Sequence, residues 1–390
     1  ITRFKEIVGC RQADNGAARV LDKNMSSRKR LVISGINLVE GGTLTVFREC
    51  ISAAALHLSK DWEVVVLAHD KSLIDATGVA VLEFPLSKRS WLLRLYYEWW
   101  YFGRLAKKLK PDFWLSLHDM TPFIGSCPQA VYCHNPAPFY RITSFREVWQ
   151  EPTLLMFNLF YRYLYGMGIH RNKYVIVQQD WLRREFERLF KVKNVIVSYP
   201  LTAVAQVKST PEKPPKENFI FLYPALPRVF KNIQMLCEAV KILNLQGITG
   251  FEVRLTMDGS ENRFAAYLTG QYAGTPNLAF IGRQSHRQMM EQYTDCDCVL
   301  FPSRLETWGL PISEAKSYGK PLLVAELPYA HETVGDYDKV AFVDSRSAAD
   351  WAENMRCAMM GRQVFSVAHI ENPHEPFVRD WQALLKLLTA

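Results

Sequence analysis

Short apolar runs recur along the chain, separated by stretches in which apolar residues return every three or four positions. In the first half the runs are "RLVISGIN", "WEVVVLAHD", "DFWLSLHD", "QAVYCHNP", "KYVIVQQ" and "NVIVSYP". Between them lie helical patterns such as "GGTLTVFRECISAAALHLS" and "DWLRREFERLF". Near-continuous apolar runs read as strands buried on both faces, and their alternation with helices predicts a parallel sheet covered by helices. Residues 201–217, "LTAVAQVKSTPEKPPKE", are rich in Lys and Pro and read as a linker. The alternation then restarts with the strands "NFIFLYPA", "FEVRLTMDG", "LAFIGR", "CVLFPS", "PLLVAE" and "VAFVD" and the helices "NIQMLCEAVKILNLQ" and "SAADWAENMRCAMMG". "FVRDWQALLKLL" closes the chain as an amphipathic helix. The pattern predicts two α/β Rossmann-like domains, residues 25–200 and 218–370, with parallel sheets facing a central cleft. Residues 371–390 form a terminal helix expected to pack back on the first domain.

The length of 390 residues suits two such domains, and 48% hydrophobic with 22% charged residues is a globular composition. No apolar run approaches the roughly 20 residues of a membrane span; the nearest, "LLMFNLFYRYLYGMG", is interrupted by Arg162. Residues 1–24 are irregular and polar, and "MSSRKRLVISGIN" from Met25 reads as a natural start, so the first 24 are expected to be a leader or an appended remnant. The eight cysteines form no CxxC pair and read as reduced thiols of a cytoplasmic protein rather than a disulfide or zinc framework. The net charge of +8 is partly local: residues 88–110 hold seven basic residues and one acid. There Trp91, Leu92, Leu95, Trp99 and Phe102 recur at helical spacing beside Arg94, Arg104, Lys107 and Lys108. The segment reads either as a helix packed on the sheet with a solvated basic end, or as an interfacial surface for an anionic membrane.

The candidate chemistry gathers in "SRLETWGLPISEAKSYGKP", residues 303–321. It follows an apolar strand ending in Pro-Ser, and Pro311 suits the first residue of a helix. Glu306 then lies in a strand-to-helix loop and Glu314 on the first helical turns. Backbone amides near Thr307, Gly309 and Leu310, with the helix dipole behind them, make an anion site. Two carboxylates beside it suit a ligand bearing phosphate and hydroxyls, such as a nucleotide sugar. A dipole-complementing carboxylate accounts for Glu314 alone equally well, but not for Glu306. Lys231, after a strand-end loop, can offer a point charge to a diphosphate, with Arg228 in the same loop. Asp258 and Gly259 end another strand, where Gly259 either lets phosphate approach the backbone or makes a plain turn. Gly41 and Gly42 form a glycine turn after the first strand. His134 ends the strand "AVYCH", where such folds build sites, although a lone histidine is commonly structural; His118 and Asp119 end the preceding strand and either face the cleft or cap a turn.

These residues resemble the retaining glycosyltransferases of family 4, which have the GT-B fold. The resemblance rests on "SRLETWGLPISEAKSYGKPLLV", "FIGRQSHRQM" and "YPALPRVFKN", taken in order over residues 30–390. It implies that Glu306, first of an E-x7-E pair, lies by the donor sugar and that Glu314 binds the ribose. It also implies that Lys231 serves the diphosphate, that the base rests near Gly282, Arg283 and Gln284, that Gly42 faces phosphate or acceptor, and that His134 is functional. The family's arginine five residues before the lysine is Leu226 here, and Arg228 is the candidate to stand in for it.

The implied activity is transfer of a sugar from a UDP- or GDP-sugar to a hydroxyl of a glycan or lipid-linked acceptor, with retention, in cell-surface polysaccharide synthesis. The catalytic candidates are His134, Glu306 and Lys231. The donor set is Gly42, Arg228, Lys231, Gly259, Arg283, Glu306, Thr307, Gly309, Leu310 and Glu314. "DCD" at 295–297 has the D-x-D spacing but opens a buried strand, so no metal and no cofactor beyond the nucleotide-sugar co-substrate are expected. The implied location is cytoplasmic, peripheral at the inner face of the cell membrane. The competing readings are a peripheral membrane or nucleic-acid binding protein, prompted by residues 88–110, and a catalytically inactive GT-B subunit. The first leaves residues 220–330 unexplained and the second leaves Glu306, Glu314 and Lys231 without a purpose, so no nucleic-acid partner is expected.

Overall fold

A computed structural model of the chain describes residues 28–142, 144–200, 217–369 and 373–390. The proposed leader, Cys10 and all but the last residue of the proposed linker lie outside these. The chain divides into two units: one holds 1–135, 160–201 and 373–390, the other 136–159 and 202–372. Residues 136–159 thus cluster with the second unit, although the sequence pattern assigns them to the first domain. Their contacts explain the exchange, because Glu147 and Glu151 in this stretch pair with Arg304 and Arg228.

The first unit begins with β1 (Lys29–Gly35), α1 (Gly41–His57), β2 (Trp62–Ala68) and β3 (Ala80–Glu83). Then come α2 (Trp91–Tyr96), a π-helical turn (Tyr97–Tyr101) and α3 (Phe102–Leu109). β4 (Phe113–Ser116) and β5 (Gln129–Tyr132) follow, then α4 (Phe145–Gln150) and the first half of α5 (Pro152–Gly166), which belong to the second unit, and β6 (Tyr174–Val177), α6 (Asp180–Phe190) and β7 (Val195–Ser198) of the first. The second unit continues with β8 (Phe219–Tyr223), α7 (Ile233–Leu245), β9 (Phe251–Leu255), α8 (Arg263–Gln271), β10 (Leu278–Phe280), α9 (His286–Asp295) and β11 (Cys298–Phe301). α10 (Leu310–Ser317), β12 (Leu322–Ala325), α11 (Pro328–Val334), β13 (Val340–Val343) and α12 (Ala348–Met359) complete it. β14 (Phe377–Val378) and α13 (Trp381–Thr389) return to the first unit.

Each unit has one all-parallel sheet. The first has the order β14-β7-β6-β5-β4-β1-β2-β3, the second β10-β9-β8-β11-β12-β13. Strands such as β11 and β2 are buried at every residue, which is why their sequences do not alternate. In the first unit α1 and α13 pack on one face, with Phe47, Ile51, Leu384 and Leu388 against Ile33 and Val66. The other face is closed by Tyr97, Phe102 and Leu105 around Phe84 and Trp114. Chain order reverses between β1 and β4 and again between β8 and β11. Those switch points are where an open α/β sheet leaves a crevice at its carboxyl edge.

Two expectations need correction. "FVRDWQALLKLL" is not one helix: Phe377 and Val378 pair with Val197 and Ser198 as an edge strand, and α13 starts at Trp381 under the Asp380 cap. Nor is 88–110 a continuous striped helix. The π-helical turn adds a residue to the repeat and rotates Tyr97, Glu98 and Tyr101 into the core. Trp91, Leu92 and Trp100 remain exposed, while Arg94 is buried and donates to the carbonyl of His118 at 2.7 Å.

Candidate active site

The second unit's switch point carries the candidate residues. The loop after β8 runs through Leu226 and Arg228 to Lys231, and the loop after β11 runs through Ser303 and Glu306 to α10. Asn232 joins them. It takes a left-handed conformation (φ +58), which asparagine tolerates, and opens α7. Its buried amide donates to the carbonyls of Pro302 (3.1 Å) and Ser345 (2.8 Å), stitching together the loops after β8, β11 and β13.

Lys231 and Glu306 meet directly, Nζ to Oε1 at 2.5 Å. Both side chains are largely buried, at 17% and 12% exposure. The ammonium also lies within cation–π reach of Phe230 and Phe301. Below them Tyr223 donates to the carbonyl of Lys231 (2.7 Å) and Tyr329 to that of Ser303 (2.6 Å). Burial first, and then the Glu306 charge, push both phenols well above their usual range. Both therefore keep their protons to donate, and they hold the loops that present the pair.

Gly309 caps α10 at φ +82, a conformation side chains resist. A Cβ there would also meet Phe301 at 3.3 Å and Ile312 at 3.4 Å. The glycine therefore lets the chain turn hard against β11 and aim the start of α10 at the strand ends. Pro311 lies in the first turn, one place later than the sequence suggests. Leu310 and Glu314 are exposed and Thr307 half-buried. Glu314 accepts a 2.5 Å bond from Tyr293 on α9.

The remaining candidates are differently placed. Arg228 is paired with Glu151, whose other oxygen accepts from the Val229 amide at 2.9 Å. The amides of Asp258 and Gly259 both donate to Glu261 at 3.0 Å, and a Cβ on Gly259 would collide with Thr269 Oγ1. The turn itself therefore accounts for this glycine. Arg283 is exposed beside Gly282. In the first unit Gly42 is exposed in the first turn of α1. His134 follows β5; its ring stacks on Tyr132 at 4.6 Å, its Nε2 is buried without a partner, and burial lowers its pKa below the usual range. Asp119 accepts from the amides of His134 (2.5 Å) and Asn135 (3.1 Å) and from Tyr165 (2.8 Å), fixing that strand end. His118 is buried against Ser34 and Glu98.

Sequence reasoning misses Asn232, Tyr293, Glu147 and Glu151. Asn232 stands in the quoted "KN", yet nothing in one sequence shows that its amide spans three loops. Tyr293 falls in an ordinary helical pattern, and the two glutamates lie some 80 residues or more before their partners. Among the described residues no three His, Cys, Asp or Glu side chains gather in a way that could hold a metal ion.

Residues 205–364 match the model of the glycosyl transferases group 1 family. The chain is 23% identical over 282 residues to the GtfA subunit of the UDP-N-acetylglucosamine–peptide N-acetylglucosaminyltransferase of Streptococcus parasanguinis. That alignment covers 67% of this chain and 53% of the relative, so the chain spans about half of that relative's length. It is 21% identical to the O-antigen chain mannosyltransferase RfbU of Salmonella typhimurium, covering 75% of this chain and 78% of that protein. Sucrose-phosphate synthase from Thermosynechococcus elongatus shares the fold with a TM-score of 0.63 at 15% identity, over 86% of this chain and 90% of that one. Anabaena HepE in complex with UDP-glucose gives a TM-score of 0.56 at 15% identity, over 92% and 95% of the two chains. Residues 205–364 therefore resemble a glycosyl transferases group 1 domain, and the two parallel sheets give the chain the α/β fold of its GT-B structural neighbours.

Proposed function

We propose that the chain is a retaining glycosyltransferase of family 4 that moves a sugar from a UDP- or GDP-sugar to a hydroxyl of a glycan or lipid-linked acceptor in cell-surface polysaccharide synthesis. The observation that carries this is the Lys231–Glu306 pair at the carboxyl ends of β8 and β11, beside the start of α10 and Glu314. In this reading Glu314 accepts from the ribose hydroxyls and Glu306 lies by the donor sugar. Lys231, with the amides at the start of α10, stabilises the charge that builds on the departing diphosphate. The acceptor attacks on the face the leaving group vacates, and the diphosphate takes the acceptor's proton. No enzyme nucleophile is required, and the nucleotide sugar is a co-substrate rather than a resident cofactor. The relatives support the donor class, since GtfA is named for UDP-N-acetylglucosamine and HepE holds UDP-glucose.

The first unit takes the acceptor, with His134 as its candidate contact. No helix among the described residues is long and apolar enough to cross a membrane. The reading places the enzyme in the cytoplasm, held peripherally on the inner membrane face. Exposed Trp91, Leu92, Trp100, Phe160 and Tyr163 support that placement, with the exposed basic residues Arg104, Lys107, Lys108 and Lys110 on the same segment as Trp100.

The test is transfer from a panel of nucleotide sugars by Glu306→Ala and Glu314→Ala, with binding of the free nucleotide measured in parallel. Both lose turnover. Glu314→Ala also weakens nucleotide binding, by about 1.5–3 kcal/mol for charge-assisted bonds, whereas Glu306→Ala spares it. Normal turnover in either variant refutes the reading.

A further inference from the structure

We propose that Tyr293 is the positioning residue for Glu314: its buried hydroxyl fixes one carboxylate oxygen and leaves the other to accept from the ribose of the bound nucleotide. The proposal rests on the reading of Glu314 as the ribose acceptor and adds what holds that acceptor in place.

Glu314 is exposed on α10, where a glutamate ordinarily samples many rotamers. Tyr293 is 2% exposed, near the end of α9. Its hydroxyl lies 2.5 Å from Glu314 Oε2, the length of a strong hydroxyl-to-carboxylate bond. Among the described residues its other near acceptor, the carbonyl of Pro311, is at 3.5 Å. Burial and the neighbouring carboxylate push the phenol well above its usual range, so it keeps its proton and donates it to the carboxylate. The ring is itself held. It stacks on Tyr318 at 5.3 Å and 20°, and the Tyr318 amide donates back to the carbonyls of Glu314 and Ala315 at the end of α10. The rigid partner therefore comes from α9 and the adjustable one from α10. An ionised carboxylate accepts at both oxygens, so the bond to Tyr293 occupies Oε2 and leaves Oε1 available. A fixed acceptor loses less freedom when ligand arrives, which is how preorganisation raises affinity.

The test measures binding of UDP, GDP and ADP by calorimetry. The tightest is then compared with its 2′,3′-dideoxy counterpart in wild type, Tyr293→Phe, Glu314→Ala and the double variant. Wild type should prefer the ribonucleotide, and Glu314→Ala should abolish the preference. Tyr293→Phe should lose about tenfold for the ribonucleotide and less than about twofold for the dideoxy form, at unchanged melting temperature. The double variant should match Glu314→Ala. If wild type binds none of the three or shows no ribose preference, the reading of Glu314 falls and the proposal with it. If Glu314→Ala abolishes the preference while Tyr293→Phe keeps it, the proposal alone is overturned. Equal loss for both ligands in Tyr293→Phe also overturns it, since that marks a general packing role. If Tyr293→Phe does not fold, Glu314→Asp carries the test: too short to keep Tyr293 and ribose together, it should lose the preference, and full retention overturns the proposal.

Discussion

Replacing Glu98 by Gln should stabilise the first unit, increasingly so as pH rises. Glu98 sits in the π-helical turn with no exposed surface, and neither carboxylate oxygen accepts a hydrogen bond among the described residues. His118 Nε2 lies 3.3 Å away, and burial keeps that imidazole neutral by lowering its pKa. Desolvation raises the Glu98 carboxyl from 4.5 to about 8, against the opposing charge of Arg94. Between those two values the fold binds a proton that the unfolded chain releases. Stability from this group is therefore full below 4.5 and is lost as pH climbs toward 8. The interval sets a ceiling of roughly 5 kcal/mol, of which ~2 kcal/mol falls between pH 6.5 and 8.5. Glutamine keeps the shape and has no proton to lose. Because the two units need not unfold together, the readout is amide hydrogen exchange of β1 and β4, compared between variants at each pH. The gap in protection should widen by about tenfold to thirtyfold from pH 6.5 to 8.5. A gap that stays constant over that range would show that Glu98 is ionised throughout, and the account of this buried group would fail.

Lys231→Ala should lower affinity for a nucleoside diphosphate far more than for the nucleoside; equal losses would place the lysine away from the phosphates. It also strands a Glu306 that is 12% exposed, so it should destabilise by about 3 kcal/mol, much of it restored in Lys231→Ala/Glu306→Ala, as read by thermal denaturation. Gly309→Ala should cost roughly 1–2 kcal/mol from its positive φ and weaken nucleotide binding, and a neutral result would mean that α10 tolerates a different start. His134→Ala should reduce turnover while sparing nucleotide affinity, and full activity or unfolding would make it a packing residue. The protein should sediment with anionic liposomes more than neutral ones, less at high salt and less with Lys107, Lys108 and Lys110 changed to Glu. Equal behaviour toward both vesicles would leave the exposed aromatics without a membrane.

The strands were legible because burial on both faces leaves near-continuous apolar runs, and the switch-point loops because Gly, Pro and charge cluster where those runs stop. β3 and β14 were not. "AVLE" has too few apolar residues to stand apart from its loop, and Phe377–Val378 is two residues whose strand character comes from pairing with β7. The π-helical turn was invisible for a similar reason. Residues 91–109 contain no proline and read as one helix, and only the packing of Tyr97 and Tyr101 on Phe84 fixes which face turns inward. In the site, the E-x7-E spacing and the "KN" after a strand end pointed to Glu306, Glu314 and Lys231. What each side chain bonds to was not legible, because the partners lie 21 residues away for Glu314, 75 for Lys231 and 77 for Arg228.

On the proposed reading, those partners change how the second unit's cations would act. Lys231 is paired with Glu306, Arg228 with Glu151 and Arg304 with Glu147. No strand-end guanidinium or ammonium of this set waits as a bare charge, so an arriving diphosphate gains only the difference between its own attraction and that of the carboxylate it competes with. Ground-state affinity from Lys231 is thereby held down. The diphosphate becomes more negative as the sugar bond breaks, while the carboxylate does not change. The lysine's preference then moves toward the leaving group during the reaction, and an interaction that strengthens toward the transition state is the kind that raises turnover. Arg228 differs, because Glu151 also anchors the Val229 amide with its second oxygen. Pulling Arg228 away leaves Glu151 bound at one end, whereas pulling Lys231 from Glu306 releases a carboxylate into the space proposed for the donor sugar. On the proposed reading the pair Lys231–Glu306 would therefore couple diphosphate and sugar recognition in a way that Arg228–Glu151 would not, leaving Arg228 to brace the loop and Lys231 to serve the chemistry.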